Sequence, residues 1–472
     1  MDTSPENIIL VVLDSLRSEN LSCYGYSRNT TPFIDQIAEN GIKLDAYSTA
    51  PWTVPVHGTL FTGMLPSYHG SHRKSKQFKL PSEQSLAGRL SANGYSTAGF
   101  SANPWLSPEF DFDTGFDHYE CFSPITPFPD EEICPEDESA NLSSISGIAS
   151  IVSWALEGNV LKRIVNGFWN RYFRKSFVTS DTVNESIDEH LESMDKTNNF
   201  IFANYMEVHD PHCKPPLSSD DVDISGSAFQ RTAHTRSFRC PFIEQKINFQ
   251  TEPSNPDQGR ILYDQSINAV DKGINDLYSL LFDRIDLKES LIIILGDHGE
   301  CMGENNYWGH GTYLHDPLLR VPLIIDPPAS AEVPSDIGRG PVSLLSIYKF
   351  VEAAGSKTEK PFEERLENLI DGSPLFAECT GPRPNMEGIA SEDGYQAVVS
   401  SGWKLIRNRT TGDTELIKVK DDASQGFGHD AAREHLTELI EERWDREEFY
   451  QKDSNTSVSS DTEQRLSDLG YM

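Results

Sequence analysis

The sequence predicts an α/β fold, in which a central, mostly parallel sheet is flanked by helices and followed by a smaller C-terminal antiparallel-sheet subdomain. Two continuous apolar runs, Asn7–Leu13 and Ser290–Leu295, are typical of parallel strands buried on both faces. Helical and strand-like segments alternate between these runs, which is the pattern of α/β proteins. Beyond about residue 371, short strand-like segments separated by turns indicate an antiparallel arrangement.

Residues 1–370 carry the alternating pattern and form the predicted large domain. Helices are predicted where apolar residues recur at helical spacing before a glycine or polar stop, and strands where β-branched residues run together. The predicted helices are Thr31–Asn40, a helix that begins near Thr53, Leu86–Asn93, Thr179–Asp195, Arg260–Leu281 and Val342–Ala354. The predicted strands are Asn7–Leu13, Ile42–Tyr47, Tyr95–Ser101, Asn199–Met206, Ser290–Leu295 and Val321–Ile325.

Two stretches interrupt this large domain: a helical insertion at about 122–178 and a polar flap at about 218–255. The insertion has a basic end, but a solvated helix face is favoured over a membrane-surface helix because most moderately amphipathic helices are of that kind. Residues 371–453 form the predicted small subdomain, and 454–472 a polar tail. The predicted elements of the small subdomain are the strands Tyr395–Ser400, Trp403–Arg407 and Thr414–Lys418 and the helix Glu434–Phe449.

The charge balance restricts the partners of this chain. Its 472 residues include 40 Lys and Arg against 73 Asp and Glu, a formal net charge of −33. Phosphate backbones would be repelled, so nucleic acid is not an expected partner. The 24 Phe, 16 Tyr and 7 Trp residues oppose disorder and indicate a real core. A folded protein with an acidic surface suits a halophilic, high-salt cytoplasm, in which charge repulsion is screened.

Cysteine usage and hydropathy predict a soluble, cytoplasmic protein. The seven cysteines are scattered and form no C-x-x-C pair, which favours a reducing compartment over a disulfide framework. The N-terminus lacks the pattern of a signal peptide, and no apolar run is long enough to span a membrane. The sequence contains no pattern that defines an oligomeric state.

The segment Ala50–Gly63 contains a candidate nucleophile and reads A-P-W-T-V-P-V-H-G-T-L-F-T-G. Pro55 suits the first position of a helix, because its missing N–H would be unpaired there. Thr53 is therefore predicted at a helix N-terminus, where backbone N–H groups and the helix dipole favour negative charge. A metal beside it could hold the hydroxyl as an alkoxide. The alternative is that Thr53 is an ordinary helix cap.

Acidic residues follow both buried apolar runs. Asp14 comes directly after the first strand, and Asp297 and His298 follow the second after one glycine. Because neighbouring parallel strands would bring these ends together, the three side chains and Thr53 are a candidate site for a divalent cation. The mixed oxygen and nitrogen ligands suit Mn²⁺, Mg²⁺, Ca²⁺ or Zn²⁺. The alternative is that each acid singly belongs to an ordinary loop.

Three further histidines lie in loops flanked by proline or glycine. His209 and His212 follow the strand Asn199–Met206 in the run E-V-H-D-P-H, and His310 lies between two glycines in W-G-H-G-T. Histidine can donate to a charged ester oxygen or protonate a leaving group. One cation is expected, and a second is possible if any of these histidines ligates.

These motifs together resemble the sulfatase family of the alkaline-phosphatase-like superfamily. The resemblance covers Asn7–Ile325 in order, and G-W-K-L-I-R at Gly402–Arg407. The motifs are N-I-I-L-V-V-L-D-S-L-R, N-T-T-P-F-I-D-Q-I-A-E-N-G, the Thr53 segment, L-A-G-R-L-S-A-N-G-Y-S-T-A-G-F, H-D-P-H, G-D-H-G-E and G-H-G-T-Y-L-H-D-P-L-L-R-V-P-L-I-I. The resemblance implies an alkaline-phosphatase-like fold, metal ligation by Asp14, Asp297 and His298, and Thr53 as nucleophile. It also implies substrate contacts for His209 and His310.

The chain departs from the pattern of this family at four positions. Sulfatases have Cys or Ser at the nucleophile position, which becomes formylglycine, and Arg four residues later. This sequence has Thr53 and His57, so no formylglycine is expected. Ser15 stands where a second acidic ligand is usual, and a lysine expected after the strand Tyr95–Ser101 is replaced around Asn103.

The resemblance and its departures imply a metal-dependent ester hydrolase that acts through Thr53, with His57, His209 or His310 stabilising charge or protonating the leaving oxygen. A formylglycine hydrate can release sulfate by elimination and a threonine ester cannot, which favours a phosphodiester or phosphonate over a sulfate ester. The substrate would be a small molecule or a glycan ester. The alternatives are a phosphotransferase with the same covalent intermediate and a non-catalytic binding protein.

The charge of the chain leads to a prediction about salt. We expect the melting temperature to fall markedly when NaCl is lowered from molar to millimolar concentration, because repulsion between surface acids is then unscreened. Thermal unfolding monitored by circular dichroism across a salt series measures this. A melting temperature independent of salt would contradict the halophilic interpretation.

Overall fold

The computed structural model contains one eight-stranded sheet and one four-stranded sheet. The residues it describes are 4–72, 81–122, 178–194, 198–210, 212, 256–304, 307–334, 340–356, 361–380, 394–419 and 428–444. The strands of the first part of the chain are Asn7–Leu13 (β1), Ile42–Tyr47 (β2), Ser96–Ser101 (β3), His118–Cys121 (β4), Asn199–Tyr205 (β5), Ser290–Gly296 (β6), Cys301–Met302 (β7), Trp308–Gly309 (β8), Arg320–Asp326 (β9) and Val342–Ser343 (β10).

The large sheet has the strand order β10-β2-β9-β6-β1-β5-β3-β4. All neighbouring strands are parallel except that β9 runs antiparallel to both β2 and β6. The predicted α/β class and mostly parallel sheet are therefore confirmed. Strands β7 and β8 form a separate hairpin.

Helices cover both faces of the large sheet. In chain order, the helices of one turn or more are Pro32–Asn40 (α1), Thr53–Thr62 (α2), Pro66–His69 (α3), Leu86–Ala92 (α4), Ser180–Glu192 (α5), Pro256–Arg284 (α6), Asp316–Leu319 (α7), Leu345–Gly355 (α8), Phe362–Leu369 (α9) and His429–Trp444 (α10). Ile8, Leu10 and Val12 of β1 face the core that includes α2, α4 and α8. The residues between them face the other core, with α1, α5 and α6. Because both faces of β1 are covered, all seven of its residues are buried, and all except Asn7 are apolar.

Strands β1 and β6 are adjacent and parallel, and they pair without interruption from Asn7 with Ser290 to Leu13 with Gly296. Both strands are buried along their whole length. Gly296 is required at the end of β6, because a Cβ atom there would lie 2.5 Å from the carbonyl oxygen of Leu16. The in-register pairing places the residues that follow each strand side by side.

The smaller sheet confirms the predicted antiparallel arrangement. Its strands, in spatial order, are Leu375–Cys379 (β11), Tyr395–Ser400 (β12), Trp403–Asn408 (β13) and Thr414–Lys418 (β14). Strand β11 has no counterpart among the predicted elements. Helix α10 packs against β12 and β13 through Leu436, Ile440 and Trp444.

Three predictions about the helices were wrong in detail. The last helix was expected to begin at Glu434 and begins at His429. The segment Val342–Ala354 was expected to be one helix, but Val342 and Ser343 pair with β2, and the helix begins only at Leu345. Pro55 was expected at the first helical position and is the third, because Thr53 itself begins the helix. The interior of the predicted insertion (123–177), the predicted flap and the predicted tail lie outside the described residues. Among the described helices, none is long and apolar enough to cross a bilayer.

Glu378 of β11 connects the small sheet to the first part of the chain. Its side chain is buried and accepts hydrogen bonds from the backbone N–H of Ser67 and, at 3.0 Å, from the indole N–H of Trp444. Its own backbone N–H donates to Thr49 at 2.9 Å. One carboxylate therefore joins α3, β11 and α10.

Replacing Glu378 by Ala should lower the stability of the protein, because two buried donors lose their acceptor and each unpaired donor costs about 1–3 kcal/mol. The matched control is Glu415→Ala, since Glu415 is 58% exposed and pairs with His315 at 3.2 Å. Such an exposed pair contributes at most about 1 kcal/mol. Urea denaturation measures both variants. Equal midpoints for the two variants would contradict the connecting role of Glu378.

Candidate active site

The carboxyl ends of β1 and β6 form the floor of the candidate site. Asp14 follows β1, and Asp297 and His298 follow β6, so the pairing of the two strands brings these residues together. The side chains of all three are fully buried. Their potential ligand atoms all lie within 4.8 Å of one another. The prediction that these strand ends meet is therefore confirmed by the geometry.

His298 presents one defined nitrogen to the two carboxylates. Its Nδ1 lies 2.8 Å from the carbonyl oxygen of Gly299, to which it must donate, so Nε2 carries the lone pair in the neutral ring. Nε2 lies 3.6 Å from Asp14 Oδ1 and 3.6 Å from Asp297 Oδ2. Fixing the tautomer through the second ring nitrogen is the usual support for a metal-binding histidine.

Thr53 is the first residue of helix α2, and its hydroxyl faces the acids. Trp52 precedes it in an extended conformation and caps the helix without a side-chain hydrogen bond. Thr53 Oγ1 lies 3.2 Å from Asp14 Oδ2 and 3.3 Å from His298 Nε2. The structure thus brings together all four predicted ligands, with the hydroxyl at the positive end of a helix dipole.

Asn103 is a further member of this group, and it follows β3, another parallel strand. Its amide nitrogen donates to Asp14 Oδ2 at 2.7 Å and lies 3.5 Å from Thr53 Oγ1. Its amide oxygen accepts the N–H of Trp105 at 3.0 Å, which fixes the orientation of the amide. Sequence reasoning noted Asn103 only as the place of an absent lysine; its position after a strand end was the available signal.

The electrostatics of the two carboxylates are unequal. Burial, and next the charge of Asp14, raise the pKa of Asp297 well above its usual value. Burial also acts to raise the pKa of Asp14, but His209, His298 and the amide of Asn103 together hold it below its usual value. Two acids this close cannot both be ionised cheaply in a buried site without a cation.

The residues present fit a divalent cation. Asp297 Oδ2 is buried and accepts no hydrogen bond from any described residue, so an oxygen with full acceptor capacity faces His298. Two carboxylates, one imidazole with a fixed tautomer and one hydroxyl make a mixed oxygen and nitrogen donor set, which suits several divalent ions.

His57 supports Thr53 from the next turn of helix α2. Its Nδ1 lies 2.9 Å from the carbonyl oxygen of Thr53, and its ring packs edge-on against Phe61 and Phe202. Burial lowers the pKa of His57 to about 4, so the ring is neutral at neutral pH. Nδ1 also lies 3.8 Å from Asp297 Oδ2.

Three histidine rings extend from the carboxylates. The ring of His310 lies 4.7 Å from that of His298 and 5.0 Å from that of His209, centroid to centroid. Glu300 Oε2 lies 2.9 Å from His310 Nδ1 and orients that ring. Glu300 is not among the site residues predicted from the sequence, although it is the last residue of the motif G-D-H-G-E. The ring of His212 instead packs against Tyr263, with centroids 5.1 Å apart.

The mostly parallel sheet with helices on both faces and a separate antiparallel sheet has the alkaline-phosphatase-like fold. The solved structure of a phosphonate monoester hydrolase from Silicibacter pomeroyi has this fold, with a TM-score of 0.63 at 14% identity over 93% of this chain and 94% of that chain. The sequence profile of the sulfatase family matches residues 6–343. The chain therefore belongs to the sulfatase family.

Individual relatives match to different extents. Human (Homo sapiens) arylsulfatase A is 32% identical over 169 residues, which are 29% of this chain and 33% of that protein. The chain thus spans about a third of the length of the arylsulfatase A that it matches. Choline-sulfatase from Rhizobium meliloti is 22% identical over 438 residues, which are 86% of this chain and 79% of that protein.

The fit to a cation leads to a prediction about stability. Mn²⁺ added to dialysed protein at about 100 times its dissociation constant should stabilise the fold by about 2.7 kcal/mol. The Asp297→Asn variant should lose this response, yet melt no lower than the wild type without metal, because an amide oxygen can still accept the N–H groups of Ser15 and His298 and cannot be ionised in the buried site. Differential scanning calorimetry measures both effects.

The matched control is Asp276→Asn on the exposed face of α6. This variant should respond to Mn²⁺ as the wild type does. An undiminished Mn²⁺ response in Asp297→Asn would show that the cation binds elsewhere.

Proposed function

We propose that this protein is a divalent-cation-dependent hydrolase of sulfate, phosphate or phosphonate esters, with Thr53 as its nucleophile. The observation that carries the proposal is the position of Thr53 Oγ1, 3.2 Å from Asp14 Oδ2 and 3.3 Å from His298 Nε2 at the start of a helix. Thr53 is not the cap of this helix, since the N-cap is Trp52.

Asp14, Asp297 and His298 would hold the cation together with the Thr53 hydroxyl. A bound divalent cation supplies positive charge that lowers the pKa of a neighbouring hydroxyl and stabilises charge on an ester oxygen. The backbone N–H groups at the start of α2 also favour negative charge on Thr53. His57, which contacts the Thr53 carbonyl oxygen at 2.9 Å, holds the backbone of the nucleophile in place.

The reaction has two steps. Thr53 Oγ1 releases its proton to solvent and forms a bond to phosphorus or sulfur, while the bond to the leaving oxygen breaks and that oxygen takes a proton. His310 and His209 are the proposed proton donors, because their rings form a row in space that begins at His298, with His310 next to His298 and His209 next to His310. Water then attacks the same centre, the bond to Thr53 Oγ1 breaks, and the hydroxyl is regenerated.

The identity of residue 53 favours a phosphoryl centre. A threonine ester can be hydrolysed only by attack of water at phosphorus or sulfur. Its carbon carries no second hydroxyl, so the phosphate or sulfate cannot be expelled by elimination as it can from a formylglycine hydrate. A phosphodiester or phosphonate ester is therefore favoured over a sulfate ester, with a small molecule or a glycan alcohol as the leaving group. The similar Silicibacter pomeroyi protein is named as a phosphonate monoester hydrolase.

The nucleophile can be tested with a panel of nitrophenyl sulfate, phosphate, phosphodiester and phosphonate esters, each with Mn²⁺, Mg²⁺, Ca²⁺ or Zn²⁺. Thr53→Ala should lower kcat by at least about a thousandfold, because the covalent step is lost. Thr53→Ser should retain much of the activity, because it keeps the hydroxyl.

The control is Thr62→Ala, whose hydroxyl lies at the other end of the same helix and donates to the Gly58 carbonyl oxygen at 2.7 Å. This variant should keep most of the wild-type kcat. Near-full turnover by folded Thr53→Ala would contradict the assignment of the nucleophile.

A further inference from the structure

Ser15 has an unusual backbone conformation directly beside the candidate cation site. Its φ angle is +62°, in the left-handed region that residues other than glycine, asparagine and aspartate rarely adopt. Among the described non-glycine residues, Asp111 and Ser401 are the other two with positive φ, and neither is buried as Ser15 is. A strained residue fixed in a buried site indicates a role that outweighs its cost.

The conformation of Ser15 lets one residue contact both carboxylates. Its backbone N–H donates to Asp297 Oδ1 at 3.0 Å, and its hydroxyl donates to Asp14 Oδ1 at 2.9 Å. An extended or helical backbone at this position would direct the N–H and the side chain differently, so both contacts depend on the left-handed conformation.

The surrounding structure holds Ser15 in this conformation. Its carbonyl oxygen accepts a hydrogen bond from the phenol of Tyr263, at 2.7 Å, and the same phenol oxygen accepts the backbone N–H of Arg17 at 3.0 Å. Tyr263 is fully buried on helix α6, which packs on the opposite side of the sheet from α2. The Asp14 turn is therefore fixed by a helix that contributes none of the predicted ligands.

These contacts fix the orientation of both carboxylates. Asp297 Oδ1 accepts two backbone N–H groups, from Ser15 and, at 2.7 Å, from His298, which leaves Oδ2 facing the His298 ring. Asp14 Oδ1 accepts the Ser15 hydroxyl, while Oδ2 is the oxygen nearest Thr53 Oγ1. Each carboxylate thus has one oxygen held by Ser15. The second oxygen of Asp297 faces His298, and the second oxygen of Asp14 lies near Thr53 and accepts the Asn103 amide. Asp14 Oδ1, although held by Ser15, also lies 3.6 Å from His298 Nε2.

We propose that Ser15 is a positioning residue, which orients Asp14 and Asp297 for the divalent cation without being a ligand itself. The inference rests on the cation of the proposed function and adds a residue to it. Hydrogen bonds to the ligands of a metal typically contribute about 10- to 100-fold to its affinity. Because the Ser15 hydroxyl is occupied by Asp14, the residue contributes to cation binding through the geometry of the acids.

The test is isothermal titration of Mn²⁺ alone into metal-free, full-length protein, without substrate. Ser15→Ala keeps the N–H contact to Asp297 but loses the hydroxyl, and it should bind Mn²⁺ about 10-fold more weakly or worse. Ser15→Gly also loses the hydroxyl but relieves the left-handed strain, so it should melt higher than Ser15→Ala while binding Mn²⁺ as weakly. The glycine variant keeps the test valid if the alanine variant does not fold.

The matched control is Ser18→Ala, which removes another buried hydroxyl three residues away. Ser18 Oγ lies 3.5 Å from the Arg320 carbonyl oxygen and hydrogen-bonds to neither Asp14 nor Asp297, so Mn²⁺ affinity should stay at the wild-type value. If the wild type binds Mn²⁺ and folded Ser15→Ala or Ser15→Gly binds it within about twofold of that affinity, the positioning role is overturned alone. If the wild type itself binds none of Mn²⁺, Mg²⁺, Ca²⁺ and Zn²⁺ when each is titrated separately in the same way, the cation site of the proposed function is overturned, and the role of Ser15 with it.

Discussion

The in-register pairing of β1 with β6 is the constraint on which the site depends. It places Asp14 and Asp297 at the same edge of the sheet, with both carboxylates fully buried. Two adjacent buried acids are unfavourable on their own, because desolvation and mutual repulsion oppose ionisation. The apolar packing of both strands and the hydrogen bonds to the carboxylates hold the acids in this arrangement. The same unfavourable charge gives the site its attraction for a cation.

Much of this arrangement could be predicted from the sequence, because its signals are local. The continuous apolar runs identified β1 and β6. The acids that follow these runs, one of them after a single glycine, were expected at the carboxyl edge of a parallel sheet. Thr53 was recognisable by a proline two residues later, although the helix begins at Thr53 itself. Three of the four strands of the small sheet followed from alternating apolar residues between turns.

The remaining features depend on contacts between residues far apart in the chain. Nothing in the local sequence of β9 shows that it runs antiparallel to both neighbours, since strand direction depends on the path of the chain. The two residues of β10 form a strand only because β2 offers an unpaired edge. Glu300 and Asn103 are ordinary polar residues until folding brings them to His310 and Asp14.

The departures from the pattern of the family form a consistent set when charge is considered. By the resemblance described for the sequence, Ser15 takes the place of a second acid, and His57 and Asn103 take the places of an arginine and a lysine. His57 is neutral because burial lowers its pKa to about 4, and Asn103 is neutral by nature. Under that resemblance, the site has fewer positive side chains than the family pattern and one negative side chain fewer. If only the two cationic side chains were absent, Asp14, Asp297 and an acid at position 15 would surround a single divalent cation. With Ser15 in place of that acid, two carboxylates remain. The same exchange supplies the hydroxyl that holds Asp14, so one substitution alters both the charge and the geometry of the site.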